Sequence, residues 1–247
     1  MAPYLSIFGL SLQAYPLFIL IAVIAGLGLA ARQARRLGLD ADHAYNLGFY
    51  SLLATLVGAR LAFVVGNWSA YRDVPLSALS PTATAFAWPE GVVIGLLVAL
   101  IYGLRYRLPL GLTLDAFAPG LALAMAGERL GAFLGGTNFG EPTTLPWGVF
   151  MWGQVRHPAQ IYEMLALLVI LAILLWQQDH RSFDGYTFVL FVALYAGSRL
   201  LLEAFRADAT LISGGLRGVQ VVALGVMLAA VWYLYRRRFS ASPDGGR

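Results

Sequence analysis

The sequence predicts an all-α integral membrane protein, a seven-transmembrane-helix bundle whose outer loops form a small head or lid. Three observations lead there. Of 247 residues, 59% are hydrophobic and 12% charged, against the roughly 25% charged residues usual in soluble domains. Apolar runs that approach or exceed the ~18 to 20 residues needed to cross a ~30 Å hydrocarbon layer follow one another with short polar breaks. Every one of the 17 basic residues is Arg, and most flank those runs, as interfacial anchors do.

The first span, residues 13–31, carries Tyr15 and ends at Arg32, Arg35 and Arg36. Arg32 is the first basic residue and follows the apolar run, so no cleavable signal peptide is evident and the span reads as a retained anchor. The second span, 43–66, contains Arg60, and residues 67–87 after it form a loop rich in Pro, Ser and Thr. The third, 88–104, opens with Glu90 and closes on Arg105 and Arg107; the fourth, 113–134, contains Asp115, Glu128 and Arg129. In the loop 135–158, "GGTNFGEPTTLPWGVF" sets turn formers against Phe139, Trp147 and Phe150, the composition of an ordered interfacial lid. "RHPAQIYE" leads into the fifth span, 159–177; Pro158 suits a first helical turn and His157 lies at the interface. The sixth and seventh spans are 186–206 and 217–235, and residues 1–247 are expected to form one transmembrane domain. Breaks on one side hold ten Arg, those on the other Arg72, Arg156, Arg206 and Arg217, which places the N-terminus outside and the C-terminus in the cytoplasm.

Composition excludes whole classes of chemistry. Without Cys the chain has no disulfide, thiolate nucleophile or Cys-ligated metal, and without Lys it has no Schiff base. Three scattered His residues do not make a metal site. The net charge of +4 reflects Arg clusters suited to anionic headgroups and requires no nucleic acid.

Arg60, Arg129 and Arg199 fall inside the spans, where an Arg near the centre costs about 2.5–3.5 kcal/mol on insertion scales. Acidic residues are near: Glu128 adjoins Arg129, Glu203 is four residues after Arg199, and Asp115 lies in the fourth span. These charges either pair to fix helix register or form a cationic cluster, outnumbering the acids firmly inside the spans, that holds an anionic headgroup. Guanidinium suits the second role because it stays charged and binds phosphate bidentately. Tyr195, Arg199 and Glu203 repeat at i, i+4, i+8 and form one polar stripe, which faces protein or a cavity. His157, Gln160 and Glu163 follow at steps of three, either an interfacial cap or a row of polar groups on the same cavity.

These motifs together resemble the phosphatidylglycerol:prolipoprotein diacylglyceryl transferase family of bacterial inner membranes. "GERLGAFLGGTNFGEPTTLPWGV" is similar to the signature G-R-x-G-N-F-x-N-G-E-x-x-G with its following P-T-x-x-P-W-G, "RHPAQIYE" to H-P-[ST]-Q-L-Y-E, and "LYAGSRLLLEAFRAD" to L-Y-G-x-x-R-x-x-x-E-x-x-R-x-x-D. "GARLAFVV", "LDAFAP" and Tyr15 extend the likeness along nearly the whole chain. The resemblance implies seven spans with periplasmic loops, and transfer of the diacylglyceryl group of phosphatidylglycerol to the thiol of a prolipoprotein lipobox peptide, releasing glycerol phosphate, without cofactor or metal. It implies that Arg129 and Arg199 hold and stabilise the phosphate among membrane lipids, that Tyr195, Glu203 and Asp115 orient them, and that Gly140 allows close backbone approach. Tyr15, Arg60, Gln160 and Glu163 complete the expected substrate site, with Glu90 or His157 as thiol base. The sequence departs from the signature at Ala132 and Gly135, where it has Asn, at Thr137, where it has Glu, and at Glu90, where the related segment has His. A relative that binds anionic lipid without this chemistry, or that uses another acceptor, is the competing reading; a proton-coupled transporter would require the internal symmetry that this sequence lacks.

Overall fold

The computed structural model describes residues 4–7, 10–79, 85–208 and 217–240. In order, a two-stranded antiparallel pair, β1 (Tyr4–Ile7) and β2 (Leu10–Gln13), leads into α1 (Ala14–Arg36); α2 (Ala41–Gly66), the short α3 (Trp68–Tyr71), α4 (Trp88–Arg105) and α5 (Leu110–Gly135) follow. A hairpin of β3 (Val149–Met151) and β4 (Gln154–Arg156) precedes α6 (Ala159–Gln177), α7 (Tyr186–Leu202) and α8 (Gly218–Ser240). Seven of these helices are long and apolar enough to cross a membrane, α7 with the 3-10 turn Glu203–Phe205 that continues it. They coincide with the seven expected spans to within a few residues; β1 and β2 were not foreseen. Part of the expected loop 67–87 (residues 80–84) and Arg247 lie outside the described residues.

Helix α5 is the most enclosed span and packs against α1, α6 and α7; α4 lies on α2, and α8 on α7. Its buried positions are nearly all small: Ala116, Ala118, Gly120, Ala122, Ala126, Gly131 and Ala132. Large apolar side chains such as Leu61, Leu96, Ile101 and Trp176 point outward. Lipid tails are as apolar as Leu, so spans associate through close van der Waals approach, which small residues permit. At the α1–α5 crossing a Cβ on Gly120 would stand 2.4 Å from the carbonyl oxygen of Gly26, and one on Gly26 2.7 Å from that of Gly120. Pro119 beside it removes one helical donor, which a span enclosed by protein tolerates.

The ends are capped locally. The Asp40 carboxylate accepts the backbone N–H groups of Asp42 at 2.8 Å and His43 at 3.1 Å, and these bonds hold its carboxyl below the ordinary value. The β3–β4 turn puts both Trp152 and Gly153 at positive φ, as a two-residue hairpin requires.

Gly120→Leu is therefore expected to lower thermal stability in detergent by at least about 1–3 kcal/mol, since backbone on both helices must part. Gly28→Ala, where an added Cβ meets nothing within 4 Å, is the matched control and is expected to be neutral or mildly stabilising.

Candidate active site

Three arginines from separate positions along the fold meet one carboxylate. Glu163, on the first turns of α6 and almost fully buried, takes Arg129 Nη1 of α5 at 3.1 Å, Arg199 Nη1 of α7 at 3.0 Å and Arg206 Nη1 at 2.9 Å. Further acids close the network. Arg129 Nε donates to Glu128 at 2.6 Å, and Glu128 accepts the Tyr15 hydroxyl of α1 at 3.0 Å. Arg199 Nη2 pairs with Glu203, the same-face partner one turn on, and Arg206 grips Asp208 through Nε and Nη2. Arg217, at the start of α8, donates to the backbone carbonyls of Glu203 and Arg206 and so fixes the turn carrying both.

This geometry brings Arg129, Arg199, Glu163, Glu203 and Tyr15 together, as expected. Tyr195 stacks on Phe191 one turn before Arg199, within electrostatic reach of Arg199, Arg129 and Glu163. The charge balance differs from the expectation of excess cation: Glu128, Glu163, Glu203 and Asp208 offset Arg129, Arg199 and Arg206. A lone buried guanidinium would be too costly, so each is paired. The carboxylates of Glu163 and Glu203 lie beneath, with side chains 7% and 2% exposed, while Arg129 and Arg199 keep 21% and 17%. Among the described residues, Arg129 Nη2 and Arg199 Nε are in none of these bonds.

Other expected residues take different places. Arg60 does not join the cluster: its guanidinium donates to the backbone carbonyls of Ala78, Ala85 and Ser77 at 2.8, 2.8 and 3.2 Å, between the rings of Tyr71 and Phe86. It holds the loop after α2. Asp115 does not orient the arginines. It stands fourteen residues before Arg129, about 21 Å along the helix, where it accepts the backbone N–H groups of Gly185 and Phe188, each at 2.9 Å, and caps the start of α7. Glu90 is exposed in the first turn of α4, with no hydrogen-bond or ion-pair partner among the described residues.

The row His157, Gln160, Glu163 is split. The His157 ring packs edge-on against Tyr162 and Phe205, its Nδ1 3.3 Å from the Tyr162 hydroxyl, which also accepts Trp147 Nε1–H at 2.8 Å. Gln160, fully buried, donates to the Thr137 carbonyl at 2.6 Å, and its Oε1 has no partner among the described residues. Gly140 is where the close approach falls. A Cβ there would lie 2.5 Å from the His157 carbonyl oxygen and 2.7 Å from that of Phe205, and Gly140 bridges antiparallel to Arg206. The backbone of 139–141 is thus sewn to the turn after α7, with Glu141 N–H bonded to the Phe205 carbonyl and Ala207 N–H to that of Phe139.

Arg206 is a member of the network that the expected site did not include, whereas Glu128 pairs with Arg129 as its adjacency suggested. Arg206 follows Arg199 by seven residues, and the 3-10 turn Glu203–Phe205 between them brings its guanidinium to Glu163. Ala132 is fully buried, and the Thr137 hydroxyl turns back to the Ala132 carbonyl at 3.5 Å.

The fold and site define a seven-span helical membrane protein with acid-paired guanidiniums convergent at one end of the bundle. The chain belongs to the prolipoprotein diacylglyceryl transferase family, whose model matches residues 3–236. It is similar to the phosphatidylglycerol–prolipoprotein diacylglyceryl transferases of Clostridioides difficile, 29% identical over 93% of both chains, and Trichormus variabilis, 30% identical over 93% of this chain and 88% of the relative. That of Thermosynechococcus vestitus is 28% identical over 95% and 91%.

Burial opposes ionisation of Asp208, yet its bonds from Arg206 prevail and hold the carboxyl below its ordinary value. A depressed folded-state value means this stabilisation is complete above the ordinary Asp range, about pH 4, and is lost as pH falls through the folded-state value. Asp208→Asn is expected to lower stability near neutrality and to flatten its dependence on pH below about 4, read from thermal midpoints across pH.

Proposed function

We propose that this protein transfers the diacylglyceryl group of phosphatidylglycerol to the cysteine thiol of a prolipoprotein lipobox peptide. The observation that carries this reading is the convergence of Arg129 and Arg199 on Glu163, with their side chains still 21% and 17% exposed. In the reaction the thiol sulfur forms a bond to the glyceryl carbon that bears the phosphate ester, and that carbon–oxygen bond breaks. The electron pair leaves on the oxygen of glycerol phosphate, and the thiol proton passes to a base. Arg129 and Arg199 would hold the phosphate oxygens and offset the charge that grows as the bond breaks, a role in which preorganised donors contribute most. Glu163, Glu203, Glu128 and Tyr195 position those guanidiniums, and Tyr15 positions Glu128. Gln160 and Gly140 shape the neighbouring wall. In this reading segment 136–158 is the lid, membrane lipids surround the bundle, and the protein sits in the bacterial inner membrane with its N-terminus and the cluster outside.

Two groups at this end of the bundle can take the thiol proton, Glu90 and His157. Replacing the one that serves, by Glu90→Gln or His157→Gln, is expected to lower turnover about 10²- to 10⁴-fold, while the other substitution leaves it nearly unchanged. The competing reading, anionic-lipid binding without transfer, is favoured by one observation: Ala132 and Thr137 present no acidic or amide group.

The deciding assay incubates purified protein with phosphatidylglycerol and a lipobox peptide and follows peptide mass and glycerol phosphate. A gain of one diacylglyceryl unit is expected, and Arg199→Lys should reduce its rate about 10²- to 10³-fold, because an ammonium cannot replace a planar fork. Lipid retention with no mass gain would favour the competing reading.

A further inference from the structure

A second polar site lies at the opposite end of the bundle. There the last turn of α1 and the α6–α7 connection enclose a cavity of about 230 Å3 lined by Gln33, Arg36, Leu37, Gln178, Asp179 and Arg181. The two ends are far apart: Tyr15, at the arginine cluster, and Arg36 are separated by 21 residues of one helix, or about 30 Å. Cavity and cluster are therefore distinct.

Its walls hold polar groups that the protein does not satisfy. Among the described residues, Arg181 Nη1 is buried without a hydrogen bond; Asp115 Oδ2 is 3.9 Å away and already accepts the Gly185 N–H. Gln178 Oε1 is likewise buried and unpaired. Gln33 is buried on the facing wall. Among the described residues Arg36 pairs with Asp179, at 3.3 Å through an exposed contact, which contributes little and can exchange partners. Buried polar groups are normally bonded, and here two unpaired ones belong to residues that line one cavity, which calls for a partner there. Two guanidiniums and two amides ask for a small anion with several acceptor oxygens; the Gln178 amide, turned about its last torsion, offers its N–H groups to the same anion.

We infer that this cavity binds the phosphate of an anionic glycerophospholipid from the leaflet opposite the arginine cluster. The lipid source is favoured by position. The cavity lies where the helices end, beside Arg32 and Arg35 of α1, and basic pockets between spans at that level take up acidic headgroups. Water alone would satisfy single atoms, but among the described residues Arg36 and Arg181 rest only on an exposed pair with Asp179 and on a 3.9 Å approach to Asp115. The site joins α1 to α6, the helices that carry Tyr15 and Glu163 at their other ends, so its occupancy ties together two elements of the arginine cluster. The inference does not depend on the transferase reading.

The test uses the full-length protein in detergent, stripped of lipid, with phosphatidylglycerol, phosphatidylcholine and inorganic phosphate as separate probes. Retained molecules are counted by native mass spectrometry, and thermal midpoints are followed in parallel. Wild-type protein is expected to retain one more phosphatidylglycerol than the Arg36→Gln/Arg181→Gln variant, and that variant should need about tenfold more of this lipid for the same stabilisation. Arg36→Gln alone, at an exposed position, tests the site if the double variant fails to fold, and should show a smaller loss in the same direction. Arg199→Gln should remove only the binding at the other end, which separates failure of this inference from failure of the proposed function. Equal retention of phosphatidylglycerol by wild type and Arg36→Gln, or equal stabilisation by phosphatidylcholine, overturns the inference. Saturation by inorganic phosphate at lower concentration than by the lipid overturns the lipid source.

Discussion

The structure depends on the Glu163 carboxylate accepting three guanidiniums in the membrane-spanning bundle. Charges can be kept there only where attraction and hydrogen bonds offset desolvation, and removing one partner from a buried pair costs more than the pair contributes. Glu163 meets that condition by sharing. Arg129, Arg199 and Arg206 each bring a second acid of their own, so the common carboxylate sets their relative positions. Three spans, α5, α6 and α7, are thereby locked in rotation and depth, and small-residue packing between α5 and its neighbours provides the closeness that makes the pairing possible.

The spans were legible because a bilayer imposes a length and a composition, and those are written along the chain. The stripe Tyr195, Arg199, Glu203 was legible for a similar reason, since a helix repeats its faces at fixed spacing and Arg199 does pair with Glu203. What spacing cannot reveal is which neighbour a face meets. Asp115 looked like a partner for Arg129 or Arg199 and instead caps α7 by accepting its backbone N–H groups, which carry no mark in a sequence. Arg60 is spent on three backbone carbonyls of its own loop for the same reason. The excess of cation came from weighing residues firmly inside the spans and leaving out those at the rim: Asp208 lies just beyond α7 yet closes the network through Arg206.

Between α5 and α6 the chain has turn formers and aromatics but no long element, yet it is pinned at defined points. Gly140 lies against the carbonyl oxygens of His157 and Phe205, Arg156 reaches back to the Gly140 carbonyl at 3.3 Å while stacking on Phe139, and Pro142 bridges to Arg156. The turn that presents Glu203 and Arg206 is bonded to this same segment and to Arg217. A displacement of the segment is thus a displacement of arginine-bearing backbone, which links access to the cluster with the cluster's own geometry.

The order in which these charges leave the ribosome bears on how the bundle is built. Arg129 emerges beside Glu128 and enters the bilayer already matched. Glu163 comes next, on a helix whose other residues are almost wholly apolar, and Arg199 follows on the very next span, so α6 and α7 can enter as a mutually neutralised hairpin. The α7 start then finds Asp115 of the earlier α5 waiting at the far side. Arg129 and Arg199 each have an acid synthesised before them or a few residues after, so neither of these cationic spans is left alone in lipid while the rest of the molecule is still being made.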